Sequence, residues 1–303
     1  MKKIIITGAN GYVASRIMAG LHKKYKLTLI DLDSNNIQLS NVKIVNLDLF
    51  NENLEKIVPI FKGHDAIIHL AYIRPKEMRN ATNVENEINA FELENSNVIM
   101  ANKIYRAAHE ANIKRVVTAS SNHAADWYEH YEVHNKKRDM VGSDLLPYSD
   151  NFYGWSKASY ELLSIPYASG KFGKKLEFIH VRIGYPREIT EDLKFSSSFQ
   201  NQFIKGKKGT GVINLKRHLG AYISSRDLTQ LFDKAISVSK VKGNIENVPF
   251  LVVYGVSDNT RRFWSLDTAK QYLNYSPKDD SEVKFSEIIK NVFDKDTWNS
   301  KLG

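Results

Sequence analysis

The chain has 303 residues, of which 42% are hydrophobic and 25% charged, a balance typical of folded globular proteins that excludes a disordered chain. It contains no cysteine, which excludes disulfides, thiolate catalysis and cysteine metal sites, and which fits a cytoplasmic location. The formal net charge is +9, but the basic residues are scattered, so we expect no nucleic-acid partner and only an attraction for small anionic substrates. No stretch approaches the roughly 20 apolar residues of a membrane span, and the apolar run near the start is too short for a signal peptide.

The first elements are predicted to be a strand, a glycine-containing turn and a helix. Residues 4–6 are three isoleucines, a run typical of a strand buried on both faces of a parallel sheet. In the turn at residues 7–11, Gly8 permits the tight bend and Gly11 allows backbone N–H groups to approach a pyrophosphate. An anion there lies at a helix N-terminus, where free N–H groups and the helix dipole favour it. We therefore predict a dinucleotide-binding turn formed by Gly8, Asn10, Gly11 and Tyr12.

An acidic residue follows the second predicted strand at the position that such a site requires. Residues 27–30 form this strand, and Asp31 comes 20 residues after Gly11. A carboxylate here accepts hydrogen bonds from both hydroxyls of the adenosine ribose and repels a 2′-phosphate, so NAD is favoured over NADP. The alternative is an ordinary strand–helix–strand unit with a glycine turn, which the position of Asp31 makes the weaker interpretation.

Strands and helices alternate along the rest of the chain, which predicts a parallel sheet. Further strands are predicted at residues 42–45, 66–71, 115–119, 176–183, 220–224 and 250–254. Helices are predicted at residues 54–61, 83–111, 152–172, 227–238, 264–273 and 283–293, and that at 152–172 is expected to be interrupted near Pro166. Residues 124–151 and 185–215 lack a clear period and are predicted to be long loops.

This order of elements predicts an α/β protein with a doubly wound Rossmann sheet and a small C-terminal substrate lobe. We expect the Rossmann domain to span residues 1–182 and the lobe to span residues 183–303. The strand near residues 250–254 is expected to return to the Rossmann sheet.

The candidate catalytic residues are a serine at the end of a strand and a tyrosine–lysine pair at the start of a helix. Tyr153 and Lys157 are four residues apart, so their side chains share one helix face. A lysine beside the phenol stabilises tyrosinate and lowers the pKa of Tyr153 toward working pH. Ser121 can hydrogen-bond the same substrate oxygen. A lone Tyr-x-x-x-Lys match is more often chance, but its place after a nucleotide-binding turn and a strand-end serine favours a catalytic set.

These motifs resemble the extended short-chain dehydrogenase/reductase family, also called the epimerase/dehydratase family, over nearly the whole chain. The resemblance is seen in residues 7–14 (TGANGYVA), Asp31, Asp48-Leu49, His69-Leu70-Ala71, Asn97, Ser121 and the Tyr153/Lys157 pair. It implies that Asp48 and Leu49 meet the adenine end of NAD, that Leu70 and Ala71 line the cofactor, and that Asn97 helps to place Lys157 through water. It also implies a homodimer formed by the helices at 83–111 and after Tyr153. Taken singly, Asp48 is also explained as a turn residue, Asn97 as a polar group on a helix face and His69 as a core histidine.

Within that family the sequence is similar to the uronate dehydrogenases, which oxidise the anomeric hydroxyl of a cyclic sugar acid to a lactone with NAD. The similar segments are residues 120–123 (SSNH), 181–184 (VRIG), 254–259 and 275–280. The resemblance implies that Asn122 and His123 contact the sugar and that Arg217 holds its carboxylate. Three features depart from that pattern: the segment before Arg217 is long, Tyr185 stands where serine is usual, and Arg74 stands where a small polar residue is usual. Arg74 suits a phosphate group on the substrate, or a surface salt bridge.

The expected reaction is oxidation of a sugar hydroxyl by NAD, with the anomeric carbon favoured. In it Tyr153 removes the hydroxyl proton as a hydride leaves for the nicotinamide, Ser121 holds the oxygen, and Lys157 keeps Tyr153 acidic. The alternatives are a sugar-phosphate dehydrogenase, a nucleotide-sugar epimerase or dehydratase that retains its cofactor, and a non-catalytic NAD-sensing protein. His130 and His134 have the spacing of a metal pair, but no third ligand is identifiable and we predict no metal site.

Overall fold

The computed structural model describes residues 1–74, 84–190 and 211–292. Its centre is a single sheet of seven parallel strands in the order β3-β2-β1-β4-β5-β6-β7. The strands are β1 (Lys3–Thr7), β2 (Lys26–Asp31), β3 (Lys43–Asn46), β4 (Ala66–His69), β5 (Arg115–Ser121), β6 (Glu177–Ile183) and β7 (Phe250–Gly255). The chain order reverses between β1 and β4, which is the switch point where doubly wound sheets bind ligands. The predicted Rossmann architecture is confirmed.

Helices cover both faces of this sheet in the part of the chain that is described. They are α1 (Tyr12–His22), α2 (Leu54–Phe61), α3 (Val84–Glu110), α4 (Asp126–Tyr128), α5 (Phe152–Ser169), α6 (Gly211–Ala221), α7 (Ser225–Ser237), α8 (Asp267–Leu273), α9 (Ser281–Lys284) and α10 (Ser286–Val292). Because successive strand side chains alternate in direction, Ile4 and Ile6 belong to the core that contains the α1 and α7 residues. Ile5 belongs to the opposite core, with the residues of α2, α3 and α5. No helix among the described residues is both long enough and apolar enough to cross a membrane.

Several local predictions were wrong. The helix at residues 152–172 is not interrupted at Pro166, because α5 continues to Ser169 and ends at Gly170 with a φ of 85°. Pro166 lies in the last turn, where the missing N–H removes a single helical hydrogen bond. Residues 220 and 221 of the expected strand are instead the end of α6, and Tyr222 forms an isolated bridge with Tyr185.

One predicted loop and one predicted helix also differ from the structure. Part of the first predicted loop is helical, with a 3₁₀ turn at Asn122–Ala125, then α4, then a π turn at Glu129–Val133. The final predicted helix is divided at Phe285 into α9 and α10, and residue 293 lies outside the described residues. Residues 191–210 of the second predicted loop also lie outside them.

The residues after 183 contribute both to the sheet and to a separate small core. β7 pairs with β6 along its whole length, with Phe178 opposite Phe250 and Ile183 opposite Gly255. A third hydrophobic cluster, away from both sheet layers, consists of Ile189, Leu215, Leu219, Tyr222 and Phe285. The division of the chain at residue 182 stays a prediction.

Gly8 determines how closely the ends of β1 and β4 approach each other. Its φ is +71°, and a Cβ at this position would lie 2.5 Å from the backbone nitrogen of Ala71. Only glycine fits both the positive φ and the close approach. In any other residue the left-handed conformation is unfavourable, and the Cβ atom would collide with the neighbouring backbone. The turn after β1 and the segment after β4 are therefore in contact, and together they form the switch-point edge of the sheet.

Candidate active site

A cleft of about 480 Å³ lies at this edge. Its wall contains the residues that the sequence predicted for cofactor binding, apart from Asn97 and the catalytic pair, and it also contains Arg74. These residues are Gly8, Asn10, Gly11, Tyr12, Asp31, Asp48, Leu49, Leu70 and Ala71. The cleft therefore joins residues from the ends of β1, β2, β3 and β4, as expected for a site at the switch point.

The start of α1 provides an anion site in this cleft. Gly11 is the residue that precedes the first helical turn, and no side chain hydrogen-bonds the N–H groups of that turn. The turn also contains no acidic residue. Because the first N–H groups of a helix lack partners within the helix and the helix dipole is positive there, a diphosphate fits this position.

Two carboxylates are fixed in the wall of the cleft. Asp31 accepts hydrogen bonds from the N–H groups of Asn10 at 2.8 Å and Leu32 at 2.7 Å, which orient it at the end of β2. Asp48 accepts from the N–H groups of Phe50 and Asn51, each at 3.0 Å. Burial acts to raise the pKa of Asp48, but the hydrogen bonds from Asn51 and Phe50 outweigh it and the pKa is lowered. Their free lone pairs suit the hydroxyl and amine donors of adenosine, so the cleft fits NAD.

Asn97 lies behind the cleft and braces its wall. The residue is fully buried on α3, and its amide accepts from the N–H of Ile73 at 2.7 Å and donates to the carbonyl of Ile73 at 3.1 Å. These bonds fix the segment after β4, which contains Tyr72 and Arg74. The part expected of Asn97 in placing Lys157 through water stays a prediction.

The three candidate catalytic residues meet where β5 ends and α5 begins. Ser121 is the last residue of β5, and Tyr153 and Lys157 lie in the first two turns of α5. A Cβ on Gly154 would lie 2.0 Å from the carbonyl oxygen of His123, so this glycine lets α5 contact the turn after Ser121. The ammonium of Lys157 donates to the carbonyl of Ala119 at 3.2 Å and lies 5.9 Å from the centre of the Tyr153 ring.

Burial shifts the pKa values of Lys157 and Tyr153 in opposite directions. Burial lowers the pKa of Lys157 to about 8, while Glu94 acts to raise it and Arg74 to lower it. The pKa of Tyr153 is raised, contrary to the lowering that the sequence predicted. Although the residue as a whole is 37% exposed, desolvation of its phenol and the charge of Glu94 raise this pKa and outweigh the Ser121 hydroxyl and Arg74, which lower it. The charge of Arg74 thus lowers the pKa of both Lys157 and Tyr153.

The sequence analysis missed Glu94 and Tyr72. Glu94 is only 4% exposed on α3, and its carboxylate accepts hydrogen bonds from the hydroxyls of Tyr72 and Ser156. The signal available in the sequence was the spacing, since Glu94 precedes Asn97 by three residues and so shares its face of α3. That face continues into the buried residues Ala101, Ile104, Tyr105 and Ala108.

The residues assigned to the substrate by resemblance also lie together. His123 is 3.0 Å from the carboxylate of Asp126, and its ring meets the Tyr153 ring edge-on with 5.6 Å between centres. Asn122 is buried and, with its amide oriented to satisfy both neighbours, donates to the carbonyl of Ile183 at 3.0 Å and accepts from Arg217 at 2.6 Å. The structure thus brings Arg217 of α6 to the end of β5, although 95 residues separate it from Asn122.

Arg217 has a carboxylate partner within the protein that the sequence did not indicate. Its guanidinium donates to both oxygens of Glu129, at 2.8 and 3.1 Å, and both side chains are buried. Burial acts to raise the pKa of Glu129, but Arg217 outweighs it and holds that pKa well below its usual range. A substrate anion at Arg217 would therefore share the guanidinium with Glu129.

His130 and His134 do not converge on one point. His130 is 2.8 Å from Asp150, whereas His134 is 3.5 Å from Glu129. The possible ligand atoms of Asp126, His130 and Asp150 lie within 4.8 Å of one another. Although burial lowers the pKa of His130, the hydrogen bond that its ring makes to the Asp150 carboxylate and the charges of Glu129 and Asp126 outweigh it and raise that pKa.

The chain is similar to known proteins in sequence and in fold. The model of the NAD dependent epimerase/dehydratase family matches residues 4–239. NAD-dependent glucose-6-phosphate dehydrogenase of Haloferax volcanii is 25% identical over 290 residues, which are 92% of this chain and 94% of that protein. Uronate dehydrogenase of Pseudomonas syringae is 29% identical over 227 residues, 74% of this chain and 62% of that one. The crystal structure of uronate dehydrogenase from Agrobacterium tumefaciens has the same fold, with a TM-score of 0.68, 24% identity, and coverage of 97% and 90%.

Replacing Asp31 tests the cofactor preference. We expect the protein to bind NAD much more tightly than NADP, because a carboxylate facing a 2′-phosphate is a like-charge contact in a partly desolvated site. Asp31→Ala should reduce this difference, measured by calorimetry with both dinucleotides. The control is Asp65→Ala, which removes the same charge at the other end of the sheet, beside Lys3, and should leave the difference unchanged. Equal affinities of the unaltered protein for NAD and NADP would contradict the assignment of Asp31.

Proposed function

Because the chain belongs to the NAD-dependent epimerase/dehydratase family, we propose that it oxidises a hydroxyl of a free anionic sugar, with the anomeric hydroxyl of a uronic acid as the first candidate. It is an NAD-dependent sugar dehydrogenase. The observation that supports this reaction most is the meeting of Ser121, Tyr153 and Lys157 beside a cleft that fits NAD. The named activities of the Haloferax and Pseudomonas relatives, on a sugar phosphate and a uronate, also support it.

The proposed chemistry needs a base, a donor that holds the substrate oxygen, and a cation. NAD held in the cleft would supply the acceptor for a hydride from the carbon that bears the hydroxyl. The Tyr153 phenolate takes the proton of that hydroxyl, and the Ser121 hydroxyl hydrogen-bonds the same oxygen. The Lys157 ammonium stabilises the phenolate, and its burial strengthens this interaction because water does not screen it.

Tyr153→Phe tests the proposed base. The variant keeps the ring and loses the proton acceptor, so we expect turnover to fall by roughly 10²-fold or more with NAD affinity nearly unchanged. Turnover is measured as NADH formation on the best substrate from a panel of uronic acids, aldoses and sugar phosphates. Tyr148→Phe is the control, since this exposed phenol lies outside the proposed site. Near-normal turnover of Tyr153→Phe would refute the assignment.

The same panel separates the proposed dehydrogenase from its rivals. A dehydrogenase accumulates NADH with a free sugar, whereas an epimerase returns the hydride and accumulates none. An NAD-sensing protein would bind NAD and turn over no sugar. A preference for sugar phosphates over uronic acids would support the second candidate, a sugar-phosphate dehydrogenase, which the position of Arg74 in the cleft wall favours.

We propose that Arg217 holds the substrate anion while it remains paired with Glu129. A guanidinium has five N–H donors in a planar fork, so it can bind two carboxylates at once, which an ammonium does less well. The pair with Glu129 orients the fork, and the contact with Asn122 fixes it beside the proposed sugar site. Glu129 also weakens the attraction for a substrate anion, so shape and hydrogen bonds must contribute to selectivity together with charge.

Substitutions at Arg217 test this proposal. Arg217→Ala should cost about 2–4 kcal/mol in kcat/KM through lost charge-assisted hydrogen bonds, and Arg217→Lys should recover only part. Because Arg217→Ala leaves the buried carboxylate of Glu129 without its guanidinium partner, the double variant Arg217→Ala/Glu129→Gln is the control for stability. It should recover thermal stability but not kcat/KM. A double variant with normal kcat/KM would show that Arg217 is structural.

Arg74→Ala distinguishes the two anions. A large loss of kcat/KM would favour a sugar phosphate, because a second guanidinium near the reacting groups suits a dianion. Little change would leave the uronic acid as the better candidate. Neutral aldoses oxidised as well as their acids and phosphates, with both alanine variants active, would contradict the anionic substrate but leave the dehydrogenase assignment standing.

We propose that the protein is a homodimer and that it lies in the cytoplasm, the latter supported only by the absence of cysteine. The dimer is supported by apolar side chains exposed on the two helices that would pair across a two-fold axis. Phe91 and Ile99 of α3 are 41% and 50% exposed, and Leu162 of α5 is 54% exposed. These two helices pack on each other, so they can present one continuous apolar face to a second copy.

Light scattering at micromolar concentration tests this assembly. The expected mass is about twice the 34.7 kDa of one chain. Leu162→Glu places a charge in the proposed interface and should give a monomer. Phe172→Glu alters a side chain of similar exposure beyond the end of α5 and should remain dimeric. An unaltered protein that is monomeric would contradict the proposal.

A further inference from the structure

A buried carboxylate lies next to the proposed catalytic lysine and has no part in the chemistry described above. Glu94 is on α3, across from the first turns of α5, and is 4% exposed. Its two oxygens accept hydrogen bonds from two different hydroxyls, those of Tyr72 and Ser156, the latter at 2.5 Å. These two hydrogen bonds and the charge of Lys157 favour the ionised carboxylate, but burial outweighs them and the pKa of Glu94 is raised.

Tyr72 connects this carboxylate to both members of the catalytic pair. Its hydroxyl binds Glu94, while its ring lies 4.9 Å from the ammonium of Lys157. The same ring meets the Tyr153 ring edge-on, with 5.7 Å between centres. Ser156 makes a second connection, because its hydroxyl also lies 2.8 Å from the carbonyl of Tyr153. Glu94 is thus linked to the catalytic helix at two points.

We propose that Glu94 is the counter-anion of Lys157 and a positioning residue of the dehydrogenase, with Tyr72 as the group that links them. This inference rests on the proposed catalytic roles of Tyr153 and Lys157. A lysine buried without an anion loses its proton easily, and a neutral amine cannot stabilise tyrosinate. Glu94 keeps the ammonium charged inside the protein, and its hydrogen bond holds the Tyr72 ring against that ammonium.

The other groups around Lys157 do not replace this anion. From the segment at the end of β4 and beyond, His69 is neutral because burial and the charge of Lys157 lower its pKa to about 3, and Arg74 has the same sign as Lys157. From α5, burial raises the pKa of both Tyr153 and Tyr160, so both phenols are neutral without cofactor and substrate. Next to Tyr153, Asp126 and His123 are hydrogen-bonded to each other.

Among the described residues, the charges that act on the pKa of Lys157 are therefore Glu94, which raises it, and Arg74, which lowers it. Glu94 also raises the pKa of Tyr153. Removing its charge should lower both pKa values. The Lys157 ammonium loses a negative neighbour that stabilises it, and the Tyr153 phenolate loses a negative neighbour that repels it. Both limbs of the pH profile of kcat should then move to lower pH, whereas a purely structural defect reduces the amplitude without moving the limbs.

The test is a titration of Lys157 by NMR in the full chain, without cofactor or substrate. The protein is labelled with ¹³C-lysine, and the Lys157 Cε signal is assigned by its absence in Lys157→Arg. The midpoint should be near 8 in the unaltered protein. It should fall by roughly one unit or more in Glu94→Gln, as expected for loss of a nearby opposite charge. Glu92→Gln is the matched control, because it removes an exposed carboxylate from the same helix and should not move the midpoint.

Tyr72→Phe gives a second, milder variant. It keeps the ring beside Lys157 and removes the hydrogen bond that lowers the pKa of Glu94. More of this carboxyl is then protonated while Lys157 titrates, so the midpoint should fall, by less than in Glu94→Gln. If Glu94→Gln fails to fold, as judged by its thermal transition, Tyr72→Phe decides the question alone. An unchanged midpoint in a folded Glu94→Gln, or in Tyr72→Phe when that variant decides, overturns the proposal.

This titration does not depend on turnover. If Tyr153→Phe keeps its activity while Glu94→Gln lowers the Lys157 midpoint, the catalytic assignment fails and the electrostatic link survives. If Tyr153→Phe is inactive and the midpoint does not move, the catalytic assignment survives and Glu94 is structural.

Discussion

The ammonium of Lys157 is almost completely withdrawn from water at the carboxyl edge of the sheet, and much of the site is arranged around that fact. A buried cation loses its hydration, which disfavours the charged form unless other groups compensate. Here compensation comes from the carbonyl of Ala119, from the faces of Tyr72 and Tyr160 at 4.9 and 4.3 Å, and from the carboxylate of Glu94. The desolvated charge then acts strongly on Tyr153, which is useful only if the ammonium stays protonated.

To bring these groups together, segments of the backbone must approach each other closely, and two glycines make this possible. Gly8 brings the turn after β1 against the end of β4, and Gly154 brings the start of α5 against the carbonyl of His123. The first contact shapes the cleft and the second joins the catalytic helix to the end of β5. The amide of Asn97 then fixes the segment after β4, which contributes Tyr72 and Arg74. The cleft thus depends on the contact at Gly8, and the catalytic helix depends on the contact at Gly154.

The substrate end of the site contains one buried and one exposed arginine. Arg217 is buried, and a buried guanidinium without a partner would be costly, so Glu129 balances it inside the protein. The pair keeps the fork oriented in the absence of substrate, at the expense of some attraction for an anion. Arg74, by contrast, is exposed and lies in the wall of the cleft. The two arginines therefore differ: the guanidinium of Arg217 is buried and oriented by Glu129, whereas that of Arg74 is exposed in the cleft wall.

Local patterns in the sequence predicted the strand–turn–helix start and the sheet class, which are confirmed, and they placed Asp31 at the end of a strand and Tyr153 and Lys157 on one helix. Each of these depends on spacing within a few residues or on the position of a residue at the end of a strand, which the chain itself determines. Resemblance added Asn122 and Arg217, which the tertiary structure brings into contact. The groups that contact these predicted residues could not be predicted from local patterns or from resemblance.

Only the tertiary structure decided which groups compensate the buried charges. Glu94 precedes Lys157 by 63 residues and Glu129 precedes Arg217 by 88, and no local pattern connects either pair. The contacts that bring these residues together are the packing of α3 on α5 and of α6 against the turns after β5. A sequence determines which charges it contains and on which face of a helix they lie, whereas their partners depend on how the helices pack.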